Sequence, residues 1–480
     1  MIGNHCRTML AAVAALMMLP LAAPADEIAD LQAQLNNLNA RLDHWAKNAN
    51  DGLSLYGITI YGTVDLGLSY QSHGSPFSDA AATNVNNFLI KSSNNPNLSL
   101  ASNGMSISTI GIKGRESLVE GWWGIFQADT GFLPASGTLI DGPGSIAHNN
   151  GVALAQQGSY GDSTRAGQAF NGRVNFGIES ARFGTLTIGR NSTTLNDAIR
   201  DYDPLGSSLQ FSYMGFFGAT AGGGDTEDRL LDDTIKYNLT YGHLHGGALY
   251  QFGGLTAAAG QKGNAYQFDL GASYGGLSVD AVLARKRDAV LVSAPLTTAQ
   301  VAALTTPGSP EFGLSADTTV PATVSDNASY TIAARYDLGR PKLYFGYEHI
   351  RYDNPSTPLA VGTEIIGGYR IIPNNSAFPD PKVLQIVWGG AQFALTPSID
   401  LLGGYYRAIQ SSYAATACSD TSSGQCSGHY DAASLVLDKR FNHYFDLYGG
   451  VQWSEAFDGM ASGYLHSASF DPMIGGRFTF

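Results

Sequence analysis

The residues most suggestive of chemistry are Gly271-Ala272-Ser273-Tyr274-Gly275, which have the G-x-S-x-G spacing of a serine nucleophile. That motif needs a strand-to-helix elbow to expose the hydroxyl. Here Tyr266, Phe268, Leu270, Ala272 and Tyr274 alternate with Gln267, Asp269, Gly271 and Ser273 and run into a tight turn, so the match reads as coincidence. The 10 histidines form no H-E-x-x-H or other metal-ligand spacing. Of the three cysteines, Cys6 lies near the N-terminus, and Cys418 and Cys426 share a Ser/Thr/Gly/Asp-rich segment. In an oxidising compartment that pair reads as a short-loop disulfide, with two free thiols as the alternative. A zinc site is not expected, because His429 alone cannot complete one. The acidic run Asp225, Glu227, Asp228, Asp232, Asp233 fits no specific calcium-loop spacing and reads as a solvated loop end. No enzyme activity, cofactor or metal is implied.

The elements that position these residues are strands. Only 14% of the 480 residues are charged and 44% are hydrophobic, with 58 Gly, 24 Tyr and 22 Phe. Mean hydropathy is −0.06. Soluble domains carry roughly 25% charged residues. Beyond the extreme N-terminus no stretch offers the roughly 18 apolar residues of a membrane helix. An outer-membrane β-barrel has this composition, because lipid-facing apolar and lumen-facing polar residues alternate. Tyr56 to Tyr70 shows the period: Tyr56, Ile58, Ile60, Val64, Leu66, Leu68 and Tyr70 on one face, Thr59, Thr63, Asp65 and Ser69 on the other. About sixteen such strands are expected between 55–71 and 466–480, the second at 104–115 and the tenth at 328–338. Tight turns such as Arg115–Val119, Ala181–Gly184, Tyr274–Leu277 and Leu338–Lys342 alternate with long polar segments, among them 72–103, 132–169 and 191–228. This is the asymmetry of short periplasmic turns and long external loops.

Residues 1–25 read as a signal peptide, with Arg7, an apolar Met9–Leu21 and Ala23-Pro24-Ala25 before the cleavage point. Loss of Arg7 leaves 26 bases against 40 acids, a net charge of −14 that disfavours nucleic acid as a partner. Residues 26–50 form a separate unit. Ile28, Leu31, Leu35, Leu38, Leu42 and Trp45 are spaced 3-4-3-4-3, an a/d heptad seam. A single helix this short is marginal in water, so the expectation is a periplasmic coiled coil joining subunits, with an amphipathic helix on its own barrel or a frayed linker as the other reading. Residues 51–480 are expected to form the barrel. The fold class is therefore all-β: a sixteen-stranded antiparallel transmembrane barrel with a short N-terminal coiled-coil helix.

Local motifs resemble those of the trimeric Gram-negative general porins. Thr109-Ile110-Gly111-Ile112-Lys113-Gly114-Arg115-Glu116 resembles their "G-F-K-G-x-E" strand, and Arg173-Val174-Asn175-Phe176-Gly177-Ile178 resembles "R-x-x-F-x-G-L". Phe183-Gly184-Thr185-Leu186-Thr187-Ile188-Gly189-Arg190 resembles "F-G-x-L-x-x-G-R". Asp438-Lys439-Arg440-Phe441, followed by Asp446-Leu447-Tyr448, resembles the "S-K-R-T" turn and "D-L-Y" strand. Gly475-Gly476-Arg477-Phe478-Thr479-Phe480 resembles the terminal "G-x-R-x-x-F". The likeness covers about residues 54–480. It implies an outer-membrane homotrimer, surrounded by lipid and lipopolysaccharide, that passes small hydrophilic solutes and ions by diffusion. It also marks Phe480 as the signal to the barrel-assembly machinery.

In the resembled proteins a third loop folds into the lumen and sets acids against a basic ladder on the wall. The matching segment here follows Arg190 and carries Asp197, Asp201 and Asp203. Arg173 falls on a ladder position and Arg229 opens strand six where the family often has another arginine. Alternation points Lys236 and Lys113 inward as well. Thr109 stands where many members carry an arginine, and the family's "P-E-F-G-G" loop sequence is absent. The acid excess suggests weak cation preference, a sign that lumen arginines can reverse. Two further functions fit the same pattern: a substrate-selective channel, for example for sugars, and a structural barrel tethered to the cell wall through its coiled coil.

Overall fold

The computed structural model describes residues 53–55, 57–72, 96–135, 137, 139, 170–216, 229–252, 264–292, 298–309, 311–314, 319–358, 365–366, 369–419, 423–462 and 466–480. The signal-peptide and heptad expectations lie outside these residues.

Sixteen strands close into one antiparallel barrel. They are β1 (Ile58–Gln71), β2 in two pieces (Asn97–Ser102 and Thr109–Val119), β3 (Trp122–Gly131), β4 (Val174–Ser180), β5 (Gly184–Ser192), β6 (Leu230–Tyr241), β7 (Leu244–Gln251) and β8 (Ala265–Tyr274). The second half comprises β9 (Leu277–Val292), β10 (Thr319–Asp337), β11 (Pro341–Asp353), β12 (Lys382–Thr396), β13 (Ile399–Gln410), β14 (Gly428–Arg440), β15 (Phe445–Asp458) and β16 (Ala468–Thr479). Each pairs with its chain neighbour, and β1 pairs with β16 from Thr63↔Thr479 to Ser69↔Met473. Closure leaves none of these sixteen strands at a free edge of the barrel, which a membrane-spanning sheet requires. Phe480 completes the seam: its N–H donates to the Gly62 carbonyl at 3.0 Å and its own carbonyl accepts from Gly62 N at 2.9 Å. Its ring lies over Gly62, where a Cβ would meet it at 2.7 Å.

The period-two pattern sorts the side chains as the strand geometry demands. Phe345, Val387, Tyr405, Leu435, Phe470 and Ile474 face outward and are exposed, whereas Trp388, Tyr406, Gln452 and Asp471 face inward and are buried. Such an apolar outer belt is unsustainable in water and is satisfied by lipid.

Three expected boundaries move. The second strand is not continuous from 104. Residues 103–108 leave the ladder for the lumen because the Asp65 carboxylate captures Met105 N at 2.9 Å and Ser106 N at 2.8 Å. The turn expected at 115–119 falls instead at Glu120-Gly121, where Gly121 takes φ +77°, a conformation that glycine adopts without steric cost. The tenth strand begins at Thr319, well before 328, because its outer end keeps pairing with β9 past a bulge and also pairs in parallel with 370–374.

Candidate functional site

Among the described residues, one long segment enters the barrel. After β5, Thr193 caps helix α1 (Thr194–Tyr202) by accepting from Asn196 N at 3.1 Å, the usual satisfaction of an orphan helix donor. Leu195 N donates to Gln267 Oε1 on β8 at 3.0 Å. Leu195, Ile199 and Tyr202 are buried. The Tyr202 hydroxyl meets Ser278 Oγ on β9 at 2.7 Å, and Trp388 Nε1 on β12 donates to the Tyr202 carbonyl at 3.0 Å.

Past the helix the chain turns at Asp203-Pro204-Leu205-Gly206. Gln392 Nε2 donates to the Pro204 carbonyl at 2.9 Å. The proline packs against Gly390 and Gly404, where added Cβ atoms would meet its ring at 2.6 and 3.1 Å. Ser208 Oγ and Gln210 N both donate to the carbonyl of Gly104, in the excursion of β2, at 2.9 Å. Ser434 Oγ donates to the Phe211 carbonyl at 2.6 Å. Phe211 meets Tyr448 edge-on at 6.3 Å, and Tyr213 lies 5.6 Å from Tyr430. The lumen face of β12–β16 thus carries an aromatic core that clamps the loop. Sequence reasoning did not single out these aromatics. The available signal was parity: Trp388 and Tyr406 are register partners on the inward face.

The structure separates the expected site residues into two groups. Arg173, Arg229 and Arg200 line one recess of about 260 Å³ with Asp129, Asn171 and Asn196. Arg173 Nε lies 3.2 Å from Asp129 Oδ2, and the other carboxylate oxygen accepts from Arg173 N at 2.7 Å. Gly172 is required there, since a Cβ would stand 1.7 Å from that oxygen. Arg229 donates to the Gly215 carbonyl, tying the returning loop to the start of β6. Lys113 is exposed to the lumen with its ammonium 5.6 Å from the Tyr61 ring.

The second group serves the loop. Lys236 is 4% exposed and donates to the Ser192 carbonyl at 2.9 Å and to the Asp197 carboxylate. Asp203 is 1% exposed and accepts from Tyr406 Oη and Ser207 N, each at 2.5 Å. It holds the turn and does not reach the recess. Burial raises the Asp203 carboxyl above the ordinary carboxylate range, against the Tyr406 and Ser207 hydrogen bonds. Asp201 remains on the open side of α1. Its carboxyl is also raised, first by the protein packed around it and further by Asp197, with Arg335 opposing.

Sequence reasoning missed Arg200, Asp129 and Arg335. Arg335 Nη1 donates to the Asp201 carbonyl at 3.3 Å. Arg190, visible in the "F-G-x-L-x-x-G-R" match, is a clamp behind the recess: it pairs with Asp232 at 2.7 Å and donates to the carbonyls of Gly172 and Asn171. The serine of the G-x-S-x-G run lies in β8 with its hydroxyl 2.8 Å from Ser278 Oγ, not on an elbow. Cys418 and Cys426 are joined with a Cα–Cα distance of 5.8 Å.

A family model for Gram-negative porins matches residues 12–411. The chain belongs to that family and is an outer-membrane channel protein. Among solved structures it is similar to the anion-selective porin from Comamonas acidovorans, at 16% identity and TM-score 0.55 over 88% of this chain and 99% of that one. It is also similar to OmpT of Vibrio cholerae, at 14% identity and TM-score 0.53 over 88% and 97%. Salmonella typhi OmpF, solved with daunomycin, follows at 13% identity and TM-score 0.50 over 89% and 100%. No curated protein matches the chain in sequence.

Proposed function

We propose that the inward loop narrows the channel to a section lined by Lys113, Arg173, Arg200, Arg229 and Arg335, and that this section favours small anions. The carrying observation is that the nearby acids are largely compensated. Asp129 is paired with Arg173 and Asp197 with the buried Lys236. Arg200 has no ion-pair partner among the described residues. Selectivity follows the charges within a Debye length, about 8 Å at physiological salt, and not the net charge of the chain. The preference is therefore opposite to the one the acid excess suggests. The protein acts as a conduit and not a catalyst. It assembles as a homotrimer, with the 26–50 heptads as the joining element and Phe480 as the assembly signal.

The test is the zero-current potential of the purified protein in a planar bilayer under a potassium chloride gradient. Chloride preference is expected. A potassium preference would refute the reading, and silence from folded protein would remove the open channel itself.

A further inference from the structure

The outer wall carries arginines that the channel does not use, two of them on β9. On β9 the outward positions read Leu277, Val279, Ala281, Leu283, Arg285 and Arg287. Leu277 and Leu283 are exposed apolar side chains. Arg285 and Arg287 are likewise exposed, and neither has a side-chain hydrogen bond or ion pair among the described residues. Register sets Arg285 opposite Ala328 on β10, and Ala328 opposite Arg351 on β11. Two strand spacings put the Arg285 and Arg351 backbones about 10 Å apart. Between them lies only a methyl group. Arg351 gives Nε and Nη2 to Asp353 at 2.9 and 3.1 Å, which leaves Nη1. One row below, Leu283, Tyr330 and His349 are register partners, and Tyr330 stacks on His349 at 4.9 Å.

Position on the wall identifies what such a patch meets. Eight residues from Leu277 to Arg285 climb about 20 Å at the usual strand tilt, so the arginines stand near the top of a roughly 25 Å apolar band. An unpaired arginine deeper in the band is costly, and at its edge it is tolerated. Below lies an acyl-chain surface and above lies the outer headgroup layer. Arginine forks match phosphate oxygens in a way that single ammonium groups do not.

We propose that Arg285, Arg287 and Arg351 form a site for the phosphorylated headgroup of an outer-leaflet glycolipid, seated over Ala328 with its chains on Leu283 and Tyr330. The site lies on the lipid side of the wall, so it is separate from solute passage. Asp353 and Asp326, which face each other in register just above, bound it on the external side.

The experiment is native mass spectrometry of the purified full chain in detergent, titrated with diphosphoryl lipid A, monophosphoryl lipid A or phosphatidylethanolamine. Diphosphoryl lipid A is expected to bind about tenfold more tightly than phosphatidylethanolamine. Arg285→Gln/Arg287→Gln/Arg351→Gln should erase that preference while conductance and heat-resistant mobility on gels persist. The corresponding lysine triple variant should keep part of the preference, which separates a charge site from a folding defect. Equal binding of lipid A by wild type and the glutamine variant overturns the proposal. Displacement of the lipid by millimolar inorganic phosphate overturns it in favour of a soluble anion. Loss of oligomer in the glutamine variant overturns it in favour of a contact between copies.

Discussion

Trp388 Nε1, on the barrel wall, donates a 3.0 Å hydrogen bond to the carbonyl of Tyr202, the last residue of α1. That carbonyl is one of the four that a helix end leaves without an internal partner, and Trp388 is 2% exposed, so water does not replace it. Trp388→Phe should leave a buried acceptor unsatisfied at a cost of about 1–3 kcal/mol, charged to the loop and not to the sheet. Single-channel records should show more frequent closures, with the barrel's heat resistance unchanged. Wild-type closure statistics would mean that Gln392, Tyr406 and Ser434 suffice to hold the loop.

The Pro204 seat tests the same loop by shape. Gly390 and Gly404 are register partners, and the proline ring fills the space their missing side chains leave. Gly404→Ala should push Pro204 off the wall, since the contact would be 3.1 Å and the Tyr406 hydroxyl 2.9 Å away. Overpacking of this kind typically costs 1–3 kcal/mol, so roughly that loss of loop anchoring is expected. Conductance should fall in the variant, because the displaced turn moves into the lumen. An unchanged conductance would show that the loop shifts along the wall instead.

Lys236 links the loop's packing to selectivity. Its ammonium is buried and neutralises Asp197, whose side chain is 46% exposed. Lys236→Met keeps the volume but frees a hydrated carboxylate beside Arg200. The zero-current potential should then shift toward cations. Asp197→Asn should instead strand a buried charge and destabilise the loop by about 3 kcal/mol, read as faster proteolysis of the loop in the folded barrel. If both variants gave the wild-type potential, Asp197 would not face the solute path.

These relationships explain what the sequence made legible. Lipid-facing alternation is local, so the outward Ile58-to-Tyr70 face and the tight Gly275-Gly276 turn were readable from spacing. The break in β2 was not, because it depends on Asp65, 40 residues from the amide it captures. Arg173 was readable from parity and motif together. Alternation points Lys236 inward, yet inward includes the space behind the loop, and only its contact with Asp197 distinguishes the two. Arg200 carried no signal, since nothing local tells which face of a loop helix remains open.

Asp201 makes the selectivity pH-dependent. Its carboxyl is raised above the ordinary range while the arginines around it stay charged. As pH falls from 7 toward 4, Asp201 should lose its charge before ordinary acids do, and chloride preference should grow. Asp201→Asn should show the low-pH preference already at pH 7 and flatten the profile between these values. A wild-type profile in the variant would assign the pH dependence to another acid.

Asp203 predicts the opposite limb, in anchoring. A carboxyl raised on folding favours the protonated form in the native state. Its stabilising contribution is complete below the unfolded value near 4 and is lost as pH rises through the folded value. The turn at Asp203–Ser207 should therefore be held most firmly in acid and loosen toward neutrality. Asp203→Asn keeps an acceptor for Ser207 N and Tyr406 Oη without a charge to ionise, so it should hold the loop equally at both ends of the range. Closure frequency measured at pH 4 and pH 7 decides the matter. A variant whose closures still rose with pH would place the titrating group elsewhere in the lumen.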